Sequence, residues 1–292
     1  MNIGLLTRNE NAWCSSRLRE AFSRLGATPR CFTFPNLVSR IAIAPSILLD
    51  GTDVSKAIEA LLVRPIGRGS LDEIIFRLNL LHTLSRSGLP VVNHPSSIEK
   101  AADKYHTLIL LSEKGIQVPK TVVTEDVSEA LKAFHEFDGD IVVKPVFGSR
   151  GIGAARISDQ DIAERTFRTL HFNRHVLYVQ EFVRHGFRDI RVFLVGGTVA
   201  AAMLRVSTYW KTNVSKGAKP TPLRLAPEIE ELAIKSADII GCEIAGVDLM
   251  ESPRGVLVHE INSQPGWRGL QSTTQVDIAR EIASYVISKA KR

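Results

Sequence analysis

The last third of the chain holds two strand-like runs, Ile244–Glu251 and Val256–Asn262, joined by Ser252-Pro253-Arg254-Gly255. Proline suits the second position of a type I turn, and glycine the left-handed residue of a three-residue hairpin loop. The two runs are therefore expected to fold back on each other as an antiparallel pair. If Ser252 pairs with Val256, Asp248 lies opposite Glu260. Glu260 and Asn262 are two apart and share a face of their strand. Three hard oxygen donors then converge, as a magnesium–phosphate site requires. Taken alone, the pattern fits a solvated polar face equally well.

The 292 residues suit about two domains. An apolar fraction of 44% and a charged fraction of 23% are ordinary for a soluble globular protein. No apolar run approaches the roughly 18 residues of a membrane span, and Met-Asn-Ile-Gly-Leu-Leu reads as a buried first strand rather than a signal peptide. Cys14, Cys31 and Cys242 are widely spaced and lack CxxC pairing. This argues against a disulfide framework or zinc cluster and fits a reducing, cytoplasmic setting without membrane contact. The net charge of +6 favours anionic substrates, nucleotides among them. Apart from Lys289-Ala290-Lys291-Arg292 the charges are scattered. No aromatic-studded basic face suggests nucleic-acid binding.

The first hundred residues alternate strand and helix signals: strands at Ile3–Leu6, Cys31–Phe34, Leu61–Val63 and Val91–Asn93, helices at Ser15–Leu25 and Leu71–Ser87. This rhythm predicts a small sheet flanked by helices. Ser96, three before Glu99, has the form of a capping box opening one helix to Lys114, with Gly115 as its stop. A domain boundary is expected just before it, giving a first domain at 1–95. A compact α+β unit at 96–184 follows, with strands at Thr121–Val123, Ile141–Lys144 and Val176–Val183 and helices at Val127–Phe137 and Asp159–Leu170. The remainder, 185–292, reads as mainly antiparallel, with strands at Asp189–Val195 and Thr198–Val206, a helix at Pro227–Ile240 and a closing helix at Gln275–Lys289.

Two common phosphate motifs are absent. There is no GxxxxGK[ST], and neither Gly151-Ile152-Gly153 nor Gly67-Arg68-Gly69 has the third glycine of a dinucleotide fingerprint. What occurs instead is Val142-Val143-Lys144-Pro145 followed by Gly148-Ser149-Arg150-Gly151-Ile152-Gly153. Glycines let successive backbone amides form an anion-binding concavity, while a lysine leaving the preceding strand can neutralise phosphate charge. An ordinary hairpin turn with a surface lysine fits as well. Val179-Gln180-Glu181-Phe182-Val183 places one carboxylate in an apolar strand, suited to a hinge beside an adenine or to an edge strand whose Glu faces water. Asp189 and Arg191 share one strand face and could form a structural ion pair or meet a ligand. Trp210-Lys211-Thr212-Asn213 reads as a polar, mobile loop. His171 and His175, at a helix end without a third ligand, fit a surface pair better than a metal site, and Cys14, at a helix start, fits an inert thiol. No GxSxG elbow or Cys–His nucleophile is present.

The order of these parts is more telling than any one of them. Ala102-Asp103-Lys104, the Val-Val-Lys-Pro strand, the Gly-rich loop, Gln-Glu-Phe-Val, Asp-Ile-Arg, Gly-Val-Asp-Leu and His-Glu-Ile-Asn follow in turn. That order resembles the ATP-grasp superfamily, and within it the RimK-like amino-acid ligases, which include LysX-like enzymes. The resemblance runs from about Ser96 to the C-terminus. It implies an α/β (α+β) ATP-grasp fold: an N-terminal pre-ATP-grasp α/β domain, a central lid-bearing subdomain and a C-terminal, mainly antiparallel subdomain.

Carried over by position, the resemblance implies that Lys104 and Lys144 contact ATP phosphates under the loop of Gly148, Ser149, Arg150, Gly151, Ile152 and Gly153. It assigns Glu181 and Phe182 to the adenine, Asp189 to the ribose or nearby polar groups, and Lys211, Thr212 and Asn213 to a loop reaching nucleotide and substrate. Family members often carry arginine where Lys211 stands. Asp248, Glu260 and Asn262 match the metal triad for two Mg2+ (or Mn2+) ions, and Arg191 and Arg205 would stabilise the transferred phosphoryl group or acyl-phosphate. The implied reaction joins a small-molecule carboxylate acceptor to L-glutamate or another amino acid, in a homo-oligomer (dimer or tetramer). Ser263-Gln264-Pro265-Gly266-Trp267, together with Trp13-Cys14-Ser15-Ser16, looks closer to the branch that adds glutamate to the pterin cofactor tetrahydromethanopterin. Two alternatives stay open: a protein C-terminus or amino-group carrier protein as acceptor, as in ribosomal-protein glutamylation or LysX-like lysine or arginine biosynthesis, and a nucleotide-binding regulatory module without turnover.

Overall fold

The opening strand Asn2–Leu6 is buried from Ile3 onward in the computed structural model, which describes residues 1–148 and 151–291. It runs parallel to Thr28–Phe32 on one side and to Ala60–Val63 on the other, with Val91–Val92 beyond. A continuous apolar run is what a parallel sheet covered on both faces requires. One face packs on helices Trp13–Arg24 and Ile278–Ala290, the other on Leu71–Arg86. The last helix of the chain thus returns to the first sheet, and Phe193 and Trp267 join the same core.

Three short strands, Leu37–Ser39, Ile47–Leu49 and Thr52–Asp53, form a small antiparallel sheet that the sequence pattern did not suggest. The expected helix from Ser96 to Lys114 is two helices, Pro95–Ala102 and Lys104–Glu113. His94, not Ser96, caps the first through its ring nitrogen. Asp103 breaks the run because its backbone is extended, bridging Phe147, while its carboxylate caps the second helix. The break places Lys104 at the start of a helix, directly beside the segment that follows Lys144.

The middle sheet has the order Ala155–Ile157, Ile141–Val143, Leu177–Glu181, Thr121–Thr124, all antiparallel. Ile141, Val143, Leu177 and Val179 face helices Val127–Glu136 and Gln160–Phe172. The alternate residues Val142, Lys144 and Gln180 point the other way, into the site.

The last sheet has the order Lys219–Pro222, Thr198–Val206, Arg188–Val195, Ile244–Ser252, Gly255–Asn262. Ile190, Val192, Leu194, Ala245, Val247 and Leu249 cover helix Pro227–Ile240. The opposite face is divided. Phe193, Val195 and Met203 pack on the closing helix, whereas Asp189, Arg191, Arg205 and Asp248 form the polar end.

Asp248 does lie opposite Glu260, but not by the expected register. Ser252 pairs with Gly255, so the turn has two residues rather than three. A β-bulge then inserts His259 against Asp248 and restores the Asp248–Glu260 pairing. The extra residue lets Val258 and Ile261 both enter the core, while His259 and Glu260 both line the site cavity.

Candidate active site

A cavity of about 100 Å³, open to solvent, separates the middle sheet from the polar end of the last sheet. It brings together Lys104, Lys144, Gly148, Gly151, Ile152, Glu181, Phe182, Asp189, Arg205, Lys211, Thr212, Asn213 and Glu260. Ser149 and Arg150 lie outside the described residues. Gly153 packs against Pro145, and Arg191, Asp248 and Asn262 are not among the residues that line the cavity.

Three ammonium groups face the cavity without a carboxylate in salt-bridge contact among the described residues. Lys104 Nζ donates to the carbonyl of Gly148 at 2.6 Å, Lys144 Nζ to Gln180 Oε1 at 2.9 Å, and Lys211 Nζ to the carbonyl of Ala154 at 2.6 Å. Lys104 and Lys211 thus bond to Gly148 and Ala154, which bracket the Gly-rich segment. Loss of hydration pushes Lys144 down to about 8, with Glu260 opposing the shift and Lys104 adding to it. Lys104 is lowered for the same reason. Glu260 has no ion-pair partner among the described residues. Its charge nevertheless favours the protonated forms of both lysines.

Asp189 and Asp248 are both held by guanidinium groups. Asp189 and Arg191 do not pair with each other. Arg205 takes Asp189 through both Nε and Nη2, the Nε contact being 2.6 Å, and reaches Asp248 Oδ1 at 3.1 Å. Arg191 takes Asp248 through Nε and Nη2, the latter at 2.7 Å. Thr212 Oγ1 donates to Asp189 Oδ2 at 2.7 Å, which ties the Trp210–Asn213 loop to the sheet instead of leaving it free. Burial alone would raise the Asp189 carboxyl, but Arg205 and the nearby His259 hold it below the usual carboxylate range. Burial likewise opposes the charge on Arg205, and Asp248 and Asp189 more than restore it. Asp189 therefore acts as an anchor for Arg205 and Thr212 rather than as an open acceptor.

The hinge differs in a similar way. The amides of Glu181 and Phe182 donate to the carbonyls of Lys120 and Asp140, at 3.0 and 2.9 Å, so neither is open to a base. Phe182 offers its ring, with the Arg156 guanidinium 3.6 Å from the centroid and Trp210 edge-on at 6.3 Å. Glu181 Oε1 accepts from the Lys120 amide at 2.8 Å and from Arg254 of the distant hairpin turn.

Among the described residues no three His, Cys, Asp or Glu side chains gather as a metal-holding group. The hairpin set is two carboxylates and an amide, and it fits a hard cation unequally. Glu260 is unpaired, and the Asn262 side-chain oxygen accepts no hydrogen bond among the described residues, which leaves it available to a cation; the buried Nδ2, which cannot be a ligand, has no partner either. Asp248 accepts three guanidinium contacts, and a carboxylate has about four lone-pair sites, so one remains. Glu260 and Asn262 are the open donors, and Asp248 a shared one.

Sequence reasoning passed over Gln180, His185, Trp210, Met250 and His259, all of which line the cavity. Gln180 was legible from alternation, since it shares a strand face with Phe182. His259 was not, because its orientation depends on the bulge.

Residues 101–286 match the RimK-like ATP-grasp domain family. The tetrahydromethanopterin:alpha-L-glutamate ligase of Methanococcus maripaludis is 31% identical over 100% of this chain and 99% of its own. The alpha-aminoadipate–LysW ligase LysX of Sulfurisphaera tokodaii is 37% identical over 68% of this chain and 70% of its own. Among solved structures, the ATP-grasp ligase PsnB with Mg and ADP superposes with a TM-score of 0.75 at 20% identity, covering 99% and 98% of the two chains. A RimK domain protein from Sphaerobacter thermophilus gives 0.76 at 23%, covering 98% and 100%. These two likenesses establish the fold.

Proposed function

The chain belongs to the RimK-like ATP-grasp ligases, and we propose that it adds L-glutamate through its amino group to a small acidic acceptor of the pterin-cofactor type. The cavity between the two antiparallel sheets is the nucleotide site in this reading. The observation that carries it is the set of three ammonium groups facing one cavity with only neutral oxygens as hydrogen-bond partners. A polyphosphate supplies the missing negative charge.

Lys104 and Lys144 lie against the phosphates, where they offset charge as an acceptor carboxylate oxygen attacks the γ-phosphorus and ADP departs. The amine nitrogen of L-glutamate then attacks the acyl carbon, phosphate leaves and the amine loses a proton. Arg205 lines this space, and its Nη1, which has no protein partner among the described residues, stabilises the oxyanion of that second step. Asp189 and Asp248 fix the plane of the guanidinium. Glu260, Asn262 and the remaining lone pair of Asp248 would hold Mg2+, which when bound draws charge from the phosphoryl oxygens. The Gly-rich segment, held by Lys104 and Lys211, keeps water from the acyl-phosphate. Phe182 presents its ring to the base.

The likeness to LysX supports a second reading, in which the acceptor is a carrier protein. ADP release with Mg2+–ATP, L-glutamate and a panel of small and macromolecular acceptors, with products identified by mass, separates the two. A glutamyl adduct on a small acid, lost in Glu260→Ala, is the expected result. A macromolecular adduct alone would select the second reading.

A further inference from the structure

Asn93 follows Val91–Val92, the edge strand of the first sheet, and is 1% exposed. An asparagine side chain carries two N–H donors and an oxygen with two lone pairs. Here all four meet backbone groups at one end of the last sheet. Nδ2 donates to the carbonyls of Ile244 and Ser263, at 2.7 and 2.5 Å. Oδ1 accepts from the amides of Glu243 and Ile244, both at 2.8 Å. Ile244 opens the strand Ile244–Ser252, and Ser263 follows directly on the strand Gly255–Asn262. The last rung of that pair, on the side away from the turn, joins Gly246 to Asn262. Asn93 therefore closes the open end of the hairpin that Ser252–Gly255 closes at the other.

The residue inside that clasp needs it. Asn262 is the last residue of an edge strand, which has a neighbour on one side only. Strand ends open more readily than strand centres. The Asn262 side chain does not anchor itself, since its oxygen accepts no hydrogen bond among the described residues and its Nδ2 has no partner. Its direction is set by its backbone, which Gly246 pairs on one side and Asn93 secures through the next carbonyl, that of Ser263. A cation ligand left free to swing binds weakly, and groups that orient such ligands matter nearly as much as the ligands do.

Resting on the reading in which Glu260 and Asn262 hold Mg2+, we infer that Asn93 is a positioning residue of the cation site, fixing from the first domain the strand end that carries Asn262. Asn93 touches neither the cation nor a substrate in this assignment, and it does not line the cavity. The cation site is thereby completed only when the first domain is seated on the last sheet. Ser97 supplies the contrast. Its Oγ also crosses to the last domain, donating to the carbonyl of Gly241 at 2.6 Å, but Gly241 ends the helix Pro227–Ile240 and carries no cation ligand.

Mn2+ serves as the probe. Its free-ion EPR signal, followed while the full chain is added in the presence of ADP, gives the affinity without turnover. Asn93→Ala should weaken Mn2+ binding about 10–100-fold, while the affinity for ADP alone, measured without metal, stays unchanged. Ser97→Ala should bind Mn2+ as the wild type does. Asn262→Ala should lose at least as much as Asn93→Ala, and the double variant should be no weaker than Asn262→Ala, because Asn93 acts through Asn262. Should Asn93→Ala not fold, Asn93→Ser, which keeps a hydroxyl but loses the amide, takes its place in the same cycle. Wild-type Mn2+ affinity in a folded Asn93 variant overturns the inference. Additive losses in the double variant, or an equal loss in Ser97→Ala, also overturn it and reduce Asn93 to support of the fold. If Glu260→Ala and Asn262→Ala both keep wild-type Mn2+ affinity, the cation reading itself fails and the inference falls with it. Losses in those two without one in the Asn93 variant sink the inference and leave the cation reading intact.

Discussion

The two walls of the candidate active site carry charge in opposite ways. On the last sheet, Asp189, Arg205, Asp248 and Arg191 form a closed ladder in which every carboxylate meets guanidinium groups. Across the cavity, Lys104, Lys144 and Lys211 meet only neutral oxygens. The ladder is complete within the protein; the lysines are complete only with an anionic ligand. A buried ion pair is costly to break because the group left behind keeps its charge without a partner. A buried cation bonded only to neutral oxygens strains the empty protein and strengthens binding. The first wall is accordingly fixed from within, leaving Arg205 Nη1 and one lone pair of Asp248 for the ligand, and the second is the part that recognises phosphate.

Removing a ladder member should have the largest effect. Arg205→Ala leaves Asp189 and Asp248 buried without their shared cation and should cost about 3–5 kcal/mol in urea unfolding. A loss below 1 kcal/mol would place the ladder in solvent and break the comparison. Lys144→Met should do the reverse. Turnover should fall about 10²–10³-fold, the scale of losing one preorganised donor, while stability holds or rises because a poorly hydrated ammonium is gone. Thr212→Val removes one hydrogen bond to a carboxylate and should cost about 1.5–3 kcal/mol.

The smallest effect is the pH dependence of Lys144. Its folded value of about 8 lies below its ordinary 10.5. The unfolded chain binds more protons between those values, so stability should rise with pH across that window. Phosphate favours the charged form, so nucleotide binding near pH 8.5 should take up a proton, and affinity should weaken as pH rises beyond 8. Calorimetry in buffers of different ionisation enthalpy measures this, and Lys144→Met should abolish it.

The sequence was read most successfully where strand periodicity alone decides geometry. Glu260 and Asn262 fall on one face because residues two apart share a face, and helix Pro227–Ile240 is bounded by its own Pro and Gly241. Non-local geometry was not legible. Asp189 and Arg191 look like a pair within one strand, yet each finds its partner on a neighbouring strand, since directly opposed side chains are closer. The bulge at His259 leaves no turn or glycine signal, and the same bulge cancels the error in the assumed hairpin register. The break at Asp103 was hidden because an aspartate inside a helical run becomes a cap only when its backbone is held extended, here by Phe147. The strands at 37–53 are two or three residues long, too short to establish a period.

The central claim is that the unpaired lysines define the nucleotide site and the ladder does not. Titration of Mg2+–ATP into the wild-type chain, Lys144→Met and Glu260→Ala by calorimetry, with folding verified for each, tests it most directly. Saturable binding to the wild type that weakens at least tenfold in Lys144→Met, with undiminished stability, is the predicted result. Wild-type affinity in a folded Lys144→Met chain would contradict the account.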